Sequence, residues 1–468
     1  MSVPADLQRF AERAPAHFSR DGGGPVVIAR APGRLDVMGG IADYSGALVL
    51  QWPIRESTRV AVQRRDGGTI RITSVSATGR RQADVSVDLL ANARAPYDNL
   101  RAWFAARPDE HWAAYVAGVF AVLSAEHHLR LDSGADVLVE SDVPEGKGVS
   151  SSAAIEAATM EAVVAAWDVD VDAKSRAISC QRVENLVVGA PCGVMDQMAA
   201  VCGEAGALMA LLCQPAEFQG TVHLPDDLAV WGVDSGIRHA VTGADYGGVR
   251  VGAFMGYRVL ADLAGLTVHP GQRPGHVRVD DPRWHGYLAN VGEEAFAEYE
   301  ARIPTAMAGA TFLSRFGGTT DLVTDVEVDR TYAVRTPAAH PVYEHERVVE
   351  WARLLRAGAP NDADRARLGE LMFESHASYS ACGLGSSGTD AIVELVRAAG
   401  PADGLWGAKI TGGGSGGTVA ILGRSDAGPR VARIAAEYEA ATGRRAHVFE
   451  GSSPGAAAVG TVRLAAAG

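Results

Sequence analysis

The sequence predicts an α+β fold in two domains, and two observations support this assignment. Short β-branched segments dominate the first 90 residues, with turn residues such as Asp66-Gly67-Gly68 between them. The last third has the pattern strand, turn, strand, helix and strand around a glycine-rich turn. Strands and helices that cluster in different parts of a chain are typical of the α+β class.

The N-terminal domain is predicted to span residues 1–220. Its strands are expected at 26–31, 59–63, 69–75, 85–89, 135–140 and 207–213. Its helices are expected at three long, helix-prone segments, 111–127, 153–167 and 172–188.

The C-terminal domain is predicted to span residues 221–468, because helical segments become frequent beyond a boundary near residue 220. Its strands are expected at 229–235, 407–410, 418–422 and 446–450. Its helices are expected at 252–263, 293–302, 342–356, 364–380, 390–399 and 429–442. Residues 267–281 are rich in Gly, Pro and His and are expected to form a loop, within an insertion at about 267–331.

Three glycine- and serine-rich turns, at 32–40, 144–152 and 412–417, suggest a polyphosphate site. The second turn leads directly into the predicted helix 153–167. Free backbone N–H groups at a helix N-terminus attract phosphate, and serine hydroxyls can add hydrogen bonds or reach a magnesium ion. The alternative for this segment alone is a tight turn followed by a serine N-cap.

Two common phosphate-binding motifs do not fit these turns. A Walker A loop requires Gly at position 141 and Ser or Thr after Lys147, but those positions hold Ser141 and Gly148. The run GGGSGG at 412–417 matches G-x-G-x-x-G, yet it leads into a β-branched segment instead of the helix of a dinucleotide fold. A protein kinase would need catalytic residues downstream of this turn, where too few residues remain.

Composition and charge favour an ordinary enzyme. The 468 residues, 47% hydrophobic and 21% charged, can fill two or three cores. The net charge of −13 and the absence of a Lys/Arg-rich block argue against nucleic-acid binding. No segment resembles a signal peptide or a membrane span, so a cytoplasmic protein without a membrane partner is expected, as a monomer or weak homodimer. Five cysteines without a C-x-x-C pair predict neither a disulfide framework nor a zinc site.

Four segments, taken together, resemble the galactokinase branch of the superfamily of galactokinases, homoserine kinases, mevalonate kinases and phosphomevalonate kinases, the GHMP kinases. They are RAPGRLDVMGGIADYSG at 30–46, PEGKGVSSSA at 144–153, GAPCGVMDQ at 189–197 and ITGGG at 410–414. The resemblance implies a ribosomal-S5-domain-2-like N-terminal domain with a mixed sheet and a ferredoxin-like C-terminal α+β domain. It also implies an active site in the cleft between them, with ATP and Mg²⁺ as cofactors.

The resemblance assigns roles to residues of these segments. It implies that Asp196 is the general base for the anomeric hydroxyl of a sugar and that Arg34 steers this carboxylate and the transferring phosphoryl group. The alternatives are a helix-capping role for Asp196 and a surface ion pair for Arg34. Glu184, twelve positions before Asp196, would bind magnesium together with Ser152 or Ser151; on its pattern alone, Glu184 is a polar residue in a helix. The nucleotide phosphates would lie against Gly146, Lys147, Gly148, Val149, Ser150, Ser151, Ser152, Gly412, Gly413 and Gly414. The sugar would lie against Gly40, Ile41, Asp43, Gly193 and Tyr246, with residues 234–239 on the same side.

The first segment is most similar to the kinase part of plant L-arabinokinases, in which GGIADY replaces the galactokinase GEHTDY. The resemblance implies that the Glu-His pair of galactokinases reads the C6 hydroxymethyl group, whereas Gly40 and Ile41 supply no polar side chain there. L-Arabinose in its pyranose form is galactose without C6, so phosphorylation of L-arabinose at C1 is expected. An unpaired buried hydroxyl costs about 1–3 kcal/mol, which disfavours galactose. Galactose, another aldose, or a catalytically silent sugar sensor on the same fold remain alternatives.

Overall fold

The computed structural model describes residues 4–18, 24–76, 79–91, 96–238 and 244–465. The strands, in chain order, are β1 (Val26–Met38), β2 (Leu48–Arg65), β3 (Thr69–Ser76), β4 (Gly79–Ser86), β5 (Gly134–Ser141), β6 (Ala207–Leu212), β7 (Glu217–His223), β8 (Leu228–Asp234), β9 (Thr267–Pro270), β10 (Gly275–Asp280), β11 (Ala306–Ala308), β12 (Gly318–Thr319), β13 (Thr331–Ala333), β14 (Leu405–Ile410), β15 (Thr418–Arg424), β16 (Val448–Glu450) and β17 (Val462–Leu464).

The α-helices are α1 (Ala5–Arg13), α2 (Val87–Leu90), α3 (Pro96–Ala105), α4 (Ala114–Glu126), α5 (Ser151–Ala166), α6 (Ala173–Arg182), α7 (Met195–Cys202), α8 (Ala244–Leu263), α9 (Glu293–Glu300), α10 (Gly309–Phe316), α11 (Arg335–Arg356), α12 (Asp362–Ala381), α13 (Ser387–Ala399), α14 (Gly428–Thr442) and α15 (Ala456–Val459). Short 3₁₀ turns occupy Ala14–His17, Gly40–Ser45, Pro108–Ala113, Leu288–Asn290 and Pro401–Asp403, and Val183–Val188 form a π-helical turn.

The larger sheet has the order β17-β1-β2-β5-β3-β4, and β6 pairs with both β2 and β7. Helices α5 and α7 pack on β1 and β2, while α4 and α6 pack on those helices. This side holds the largest core, built mainly from Ala and Val. The last strand, β17, pairs with β1, so the chain returns to its first sheet at residues 462–464.

The second sheet has the order β14-β15-β8-β16. One face carries α13 and α14 over a core that includes Ile392 and Tyr438. A further core joins this sheet, α11 and α12 to the far ends of β1 and β2 through Leu35, Trp351 and Leu422. The two sheets are therefore fixed against each other where the first glycine-rich segment emerges from β1. The predicted boundary near residue 220 stays a prediction.

The α+β class and the strand–turn–strand–helix–strand order of the last third are confirmed. The turn predicted at 32–40 is wrong for most of its length, because β1 continues to Met38 with register shifts at Pro32/Arg34 and Asp36/Met38. Gly33 lets the second glycine-rich turn approach β1 closely: a Cβ there would lie 2.5 Å from the carbonyl oxygen of Val149.

Three other element predictions were wrong in part. Residues 87–89 belong to α2 instead of a strand, because Ser86 accepts a hydrogen bond from the backbone N–H of Asp88 and caps a helical turn. The loop predicted at 267–281 contains the antiparallel pair β9 and β10. The helix predicted at 172–188 is α-helical only to Arg182 and continues as the π-helical turn. None of the helices in the described parts of the chain is long and apolar enough to span a bilayer.

Candidate active site

One cavity collects residues from all four sequence segments. Its wall is formed by Arg34, Ile41, Asp43, Gly146, Gly148, Ser150, Ser151, Ser152, Glu184, Ala190, Pro191, Cys192, Gly193, Met195, Asp196, Tyr246 and Gly413. The other predicted site residues, Gly40, Lys147, Val149, Gly412 and Gly414, lie outside this wall.

The centre of the cavity is a three-residue cluster around Asp196. Arg34 donates to Asp196 Oδ1 from Nε at 3.0 Å and from Nη2 at 2.6 Å. The hydroxyl of Ser150 donates to Asp196 Oδ2 at 2.5 Å. Arg34 Nη1 also donates to the carbonyl oxygen of Gly148 at 2.8 Å, so the arginine ties the carboxylate to the second glycine-rich turn.

The geometry contradicts the plain alternatives for these residues. Ser150 directly precedes α5, but its hydroxyl bonds Asp196 and makes no cap bond. Asp196 is the second residue of α7, yet its carboxylate accepts from side chains instead of capping that helix. The side chain of Arg34 is 3% exposed, so its ion pair is buried and not a surface pair.

The third glycine turn packs directly on the second. A Cβ at Gly412 would lie 2.7 Å from the carbonyl oxygen of Gly148, and a Cβ at Gly417 would lie 2.7 Å from that of Lys147. The Thr418 hydroxyl donates to the same Lys147 oxygen at 2.8 Å. The close approach of these two backbones therefore requires glycine at both positions.

The Lys147 side chain points away from Asp196 and pairs with Asp234, with 2.8 Å between Nζ and Oδ2. Of the segment 234–239, Asp234 is thus engaged by the lysine, and His239 lies outside the described residues.

Glu184 lies in the π-helical turn Val183–Val188 and is buried. Its carboxylate accepts hydrogen bonds from Gln197 Nε2, at 2.7 Å, and from Ser152. Burial and the nearby charge of Asp196 raise the pKa of Glu184 to about 7, and these hydrogen bonds oppose the shift. π-Helical turns inside helices are frequent at functional sites, which fits this position.

A further carboxyl group, that of Glu156, lies behind Glu184 and is fully buried in α5. Gln197 Nε2 is 3.3 Å from its Oε2, whereas its Oε1 has no hydrogen-bond partner. Burial first, and then the charge of Glu184, raise the pKa of Glu156 well above its usual value. No sequence pattern singles out this residue, which occupies an ordinary position within a helix.

The cavity wall also contains Asp43, Ile41, Gly193 and Tyr246, the residues that were predicted to contact a sugar. Burial and the charge of Asp196 raise the pKa of Asp43 to about 7. A Cβ at Gly193 would lie 1.8 Å from Asp43 Oδ2, so only glycine fits beside this carboxylate.

A buried cation, Arg250, fixes the loop between Glu184 and Asp196. It forms a bidentate ion pair with Asp321 (2.7 Å for each bond) and donates from Nη1 to the carbonyl oxygens of Pro191 and Cys192 at 3.2 Å. Arg250 also lowers the pKa of Asp43, against the effect of burial. Asp321 comes from the region 267–331, which therefore contributes to the support of this loop.

The position of Gly40 differs from the sequence expectation. A Cβ at Gly40 would lie 1.3 Å from the hydroxyl oxygen of Tyr379, so the space beside this glycine is filled by protein. The cavity wall at this corner is formed by the next residue, Ile41.

A second cavity adjoins the first and shares Gly146, Ser151 and Ser152 with it. Its other walls include Trp112 and Tyr115, next to α4 and within it. Arg81 covers the ring of Trp112 at 4.9 Å. Sequence reasoning missed these two aromatic residues, because in a helix-prone segment they are indistinguishable from core residues.

Three family models match the chain. The model described as "GHMP kinases N terminal domain" matches residues 114–204, and "GHMP kinases C terminal" matches residues 353–440. The "Galactokinase galactose-binding signature" matches residues 16–64, which include Arg34, Ile41 and Asp43.

Among curated proteins, L-arabinokinase of Arabidopsis thaliana is 44% identical over 94% of this chain. The match covers 47% of that relative, so the chain spans about half of its length. Galactokinase of a Roseiflexus species is 30% identical over 95% of both chains, and that of Streptomyces coelicolor is 30% identical over 92% of this chain and 93% of the relative.

The fold matches solved structures over nearly the whole chain. Lactococcus lactis galactokinase complexed with galactose superposes with a TM-score of 0.69 at 21% identity, covering 98% of this chain and 99% of that one. Methanococcus jannaschii mevalonate kinase has a TM-score of 0.52 at 12% identity, with 91% and 98% covered. These likenesses establish the two-domain fold.

Proposed function

Because the chain belongs to the GHMP kinase family, whose members use ATP as a substrate, we propose that it phosphorylates the anomeric hydroxyl of a monosaccharide, with L-arabinose as the preferred sugar. The product is then L-arabinose 1-phosphate. The similarity to L-arabinokinase over 94% of the chain supports the choice of sugar.

The observation that carries the proposal is the contact between Asp196 and the second glycine-rich turn. The 2.5 Å hydrogen bond from Ser150 brings the carboxylate to the N-terminus of α5, where phosphate binding is favoured. Arg34 holds the same carboxylate and stays cationic, with a fork that suits phosphate oxygens. A base, a cation and a phosphate cradle are the parts that phosphoryl transfer needs.

In the proposed reaction, Asp196 accepts the proton of the sugar's O1 hydroxyl as O1 bonds to the γ-phosphorus of ATP. The bond between that phosphorus and the bridging oxygen breaks, and ADP leaves. A carboxylate has about four lone-pair sites, so Arg34 and Ser150 leave room for the sugar hydroxyl. The main contribution of Asp196 is its position in a partly dry site.

The nucleotide is proposed to occupy both cavities. Gly146 and Gly148 have φ values of +72° and +69°, a conformation that glycine adopts readily. Because they are glycines, the loop backbone beside the cavity has no side chains at these two positions. The triphosphate then lies along residues 146–152. The purine base then lies in the adjoining cavity, whose wall includes the aromatic residues Trp112 and Tyr115 together with Arg81, which covers the Trp112 ring.

The residues proposed for Mg²⁺ fit that ion. Glu184 and Ser152 offer a carboxylate and a hydroxyl oxygen that lie within hydrogen-bond distance of each other. Mg²⁺ usually takes one or two protein ligands together with waters and phosphates. A bound Mg²⁺ would neutralise charge on the β- and γ-phosphate oxygens.

The sugar is proposed to bind between Asp43 and Ile41. Asp43 can accept hydrogen bonds from ring hydroxyls, because Gly193 leaves its carboxylate uncovered on the cavity side. Ile41 presents an apolar wall that offers no partner to an exocyclic hydroxyl. A sugar without C6 therefore binds without leaving a hydroxyl unpaired.

The test is an ADP-release assay with purified protein, ATP and Mg²⁺ across L-arabinose, D-galactose, D-galacturonate and D-mannose, with NMR of the product. We expect turnover on L-arabinose with kcat/KM about 10- to 100-fold above that on D-galactose. A higher kcat/KM for galactose would make the protein a galactokinase. ATP binding without turnover of any sugar would support a silent sensor and overturn the proposal.

A further inference from the structure

Gly40 and Tyr379 are packed so closely that position 40 cannot carry a side chain while Tyr379 is present. Gly40 has a φ of +45°, and a Cβ on it would lie 1.3 Å from Tyr379 Oη and 2.5 Å from Tyr379 Cζ. Tyr379 belongs to α12, far away in the sequence, and is fully buried. A side chain at position 40 therefore fits only if the ring at position 379 is replaced by a smaller group.

The hydroxyl of Tyr379 also joins two parts of the active site. It accepts a hydrogen bond from the backbone N–H of Ile41 at 2.8 Å and donates to the carbonyl oxygen of Gly412 at 3.1 Å. Ile41 forms the apolar wall of the sugar cavity, and Gly412 packs on the phosphate turn. One phenol group thus fixes the sugar wall relative to the phosphate cradle.

The preceding peptide, between Gly39 and Gly40, is held by Asp36. The carboxylate of Asp36 accepts from the backbone N–H of Gly40 at 2.9 Å and from Lys409 Nζ at 2.6 Å. Both side chains of this ion pair have no exposed surface. Asp36 and Tyr379 together therefore leave the backbone that carries the Ile41 side chain little freedom.

We propose that Tyr379 is a specificity-determining positioning residue, which keeps position 40 without a side chain and fixes Ile41 as the wall that disfavours a C6 hydroxymethyl group. This inference rests on the proposed sugar kinase function. The corner beside Gly40 is closed by the phenol of Tyr379, so the selectivity arises from a pair of residues on two distant segments.

The first variant is Tyr379→Phe, which keeps the ring but leaves the Ile41 N–H and the Gly412 carbonyl without this partner. We expect the ratio of kcat/KM for L-arabinose to that for D-galactose to fall at least about fivefold, mainly through a higher KM for arabinose. The matched control is Tyr438→Phe. Tyr438 is also buried and its hydroxyl donates to a backbone carbonyl, that of Ser235 at 2.6 Å, but it does not line the sugar cavity. Its sugar ratio should stay unchanged.

The second test is a double-mutant cycle with Gly40→Asn, Tyr379→Leu and both together. Asparagine tolerates a positive φ better than most residues, and leucine vacates the space of the hydroxyl and outer ring. We expect Gly40→Asn alone to lower Tm strongly and the double variant to recover at least half of that loss. Because the double variant lacks the Tyr379 bond to Ile41, its sugar ratio should move toward galactose.

Additive Tm losses in the cycle, or an unchanged sugar ratio in both Tyr379→Phe and the double variant, would overturn the inference. Stabilisation of the protein by L-arabinose and by D-galactose, measured as the rise in Tm, gives the sugar ratio without turnover. Failure of the kinase proposal therefore appears as absent phosphorylation, whereas failure of the Tyr379 role appears as an unchanged sugar preference.

Discussion

Two of the carboxylates in the cavity, Asp196 and Asp43, differ in how many hydrogen bonds the protein already donates to them. Asp196 accepts three side-chain hydrogen bonds, two from Arg34 and one from Ser150. Within the described residues, the hydrogen bond found for the Asp43 carboxylate is that from the backbone N–H of Tyr44, at 2.7 Å. One carboxylate is held in place before any ligand binds, and the other has open lone pairs.

This difference corresponds to two kinds of work. A group that acts on the reacting atoms gains from being oriented in advance, because no reorganisation is then needed during the reaction. A group that binds a polyol must keep acceptor sites free for the hydroxyls of that ligand. Burial without enough donors raises the pKa of Asp43 to about 7, and sugar hydroxyls would supply the missing donors.

The largest expected effect concerns Asp196, the carboxylate that the protein already holds in place. Asp196→Asn removes the proposed base and, with it, the ion pair to Arg34, so kcat should fall by about 10³-fold or more. ATP affinity, measured by calorimetry, should change less than about threefold. Asp329→Asn, an exposed aspartate, is the control. A kcat close to that of the unaltered protein would show that Asp196 is not the base.

The second prediction concerns Asp43, the carboxylate with open lone pairs. Asp43→Asn replaces an acceptor-only carboxylate by an amide, so the KM for the sugar should rise about 10- to 100-fold while kcat falls less than about tenfold. Steady-state kinetics at saturating ATP separates the two constants. If kcat fell as far as in Asp196→Asn with an unchanged KM, the contrast between the two carboxylates would be wrong.

The third prediction is a pH dependence of kcat/KM for the sugar that is due to Asp43. Since the pKa of Asp43 is about 7 and its ionised form accepts the hydroxyls, kcat/KM for the sugar should fall about tenfold for each pH unit below 7. Ionisable groups near its carboxylate include Asp36, Asp196, Arg250, Tyr44, Tyr246 and Cys192.

Glu184 has a pKa of about 7 as well, so the profile needs a control. The profile is measured from pH 5.5 to 9 at saturating Mg²⁺, with Asp43→Asn in parallel. If kcat/KM decreases less at low pH in this variant than in the unaltered protein, the difference is due to Asp43. An identical decrease in both proteins would contradict the prediction.

The smallest expected effect comes from Arg250, whose charge acts on Asp43. Arg250→Gln removes the positive charge that lowers the pKa of Asp43. The fall of kcat/KM at low pH should therefore move to higher pH by about half a unit, which is about a threefold loss at pH 6.5. Arg278→Gln, at an exposed arginine, serves as the control. A shift to lower pH would contradict the assigned role of Arg250.

Much of the fold was accessible from the sequence where the signals are local. The turn at 144–152 is followed by a segment without Gly or Pro, and α5 begins at Ser151, two residues before the predicted start. Strands β14 and β15 and helix α14 also lie where the pattern indicated. By contrast, β17 has only three residues, and it exists because β1 offers an edge to pair with.

The residues of the candidate site likewise divide into those that the sequence indicated and those that it did not. Arg34 and Asp196 were found because they lie in segments that resemble those of galactokinases, and Glu184 was found by its spacing from Asp196. The structure brings all three into one cavity. Trp112, Glu156 and Arg250 were missed, since each lies in a segment whose pattern is that of any helix. Gly40 was noticed as a missing side chain, although the group that fills its space could not be identified.

The sequence by itself determined the family, the glycine turns and the residues that supply charge, because these depend on residue types at short spacings. Only the tertiary structure decided which groups are paired and which stay open. Arg34 reaches Asp196 across 162 positions and Tyr379 reaches Ile41 across 338, and no local pattern records such contacts. Hydrogen bonding and burial act through distance in space, so the properties of Asp43 and Ile41 were fixed when the distant segments packed together.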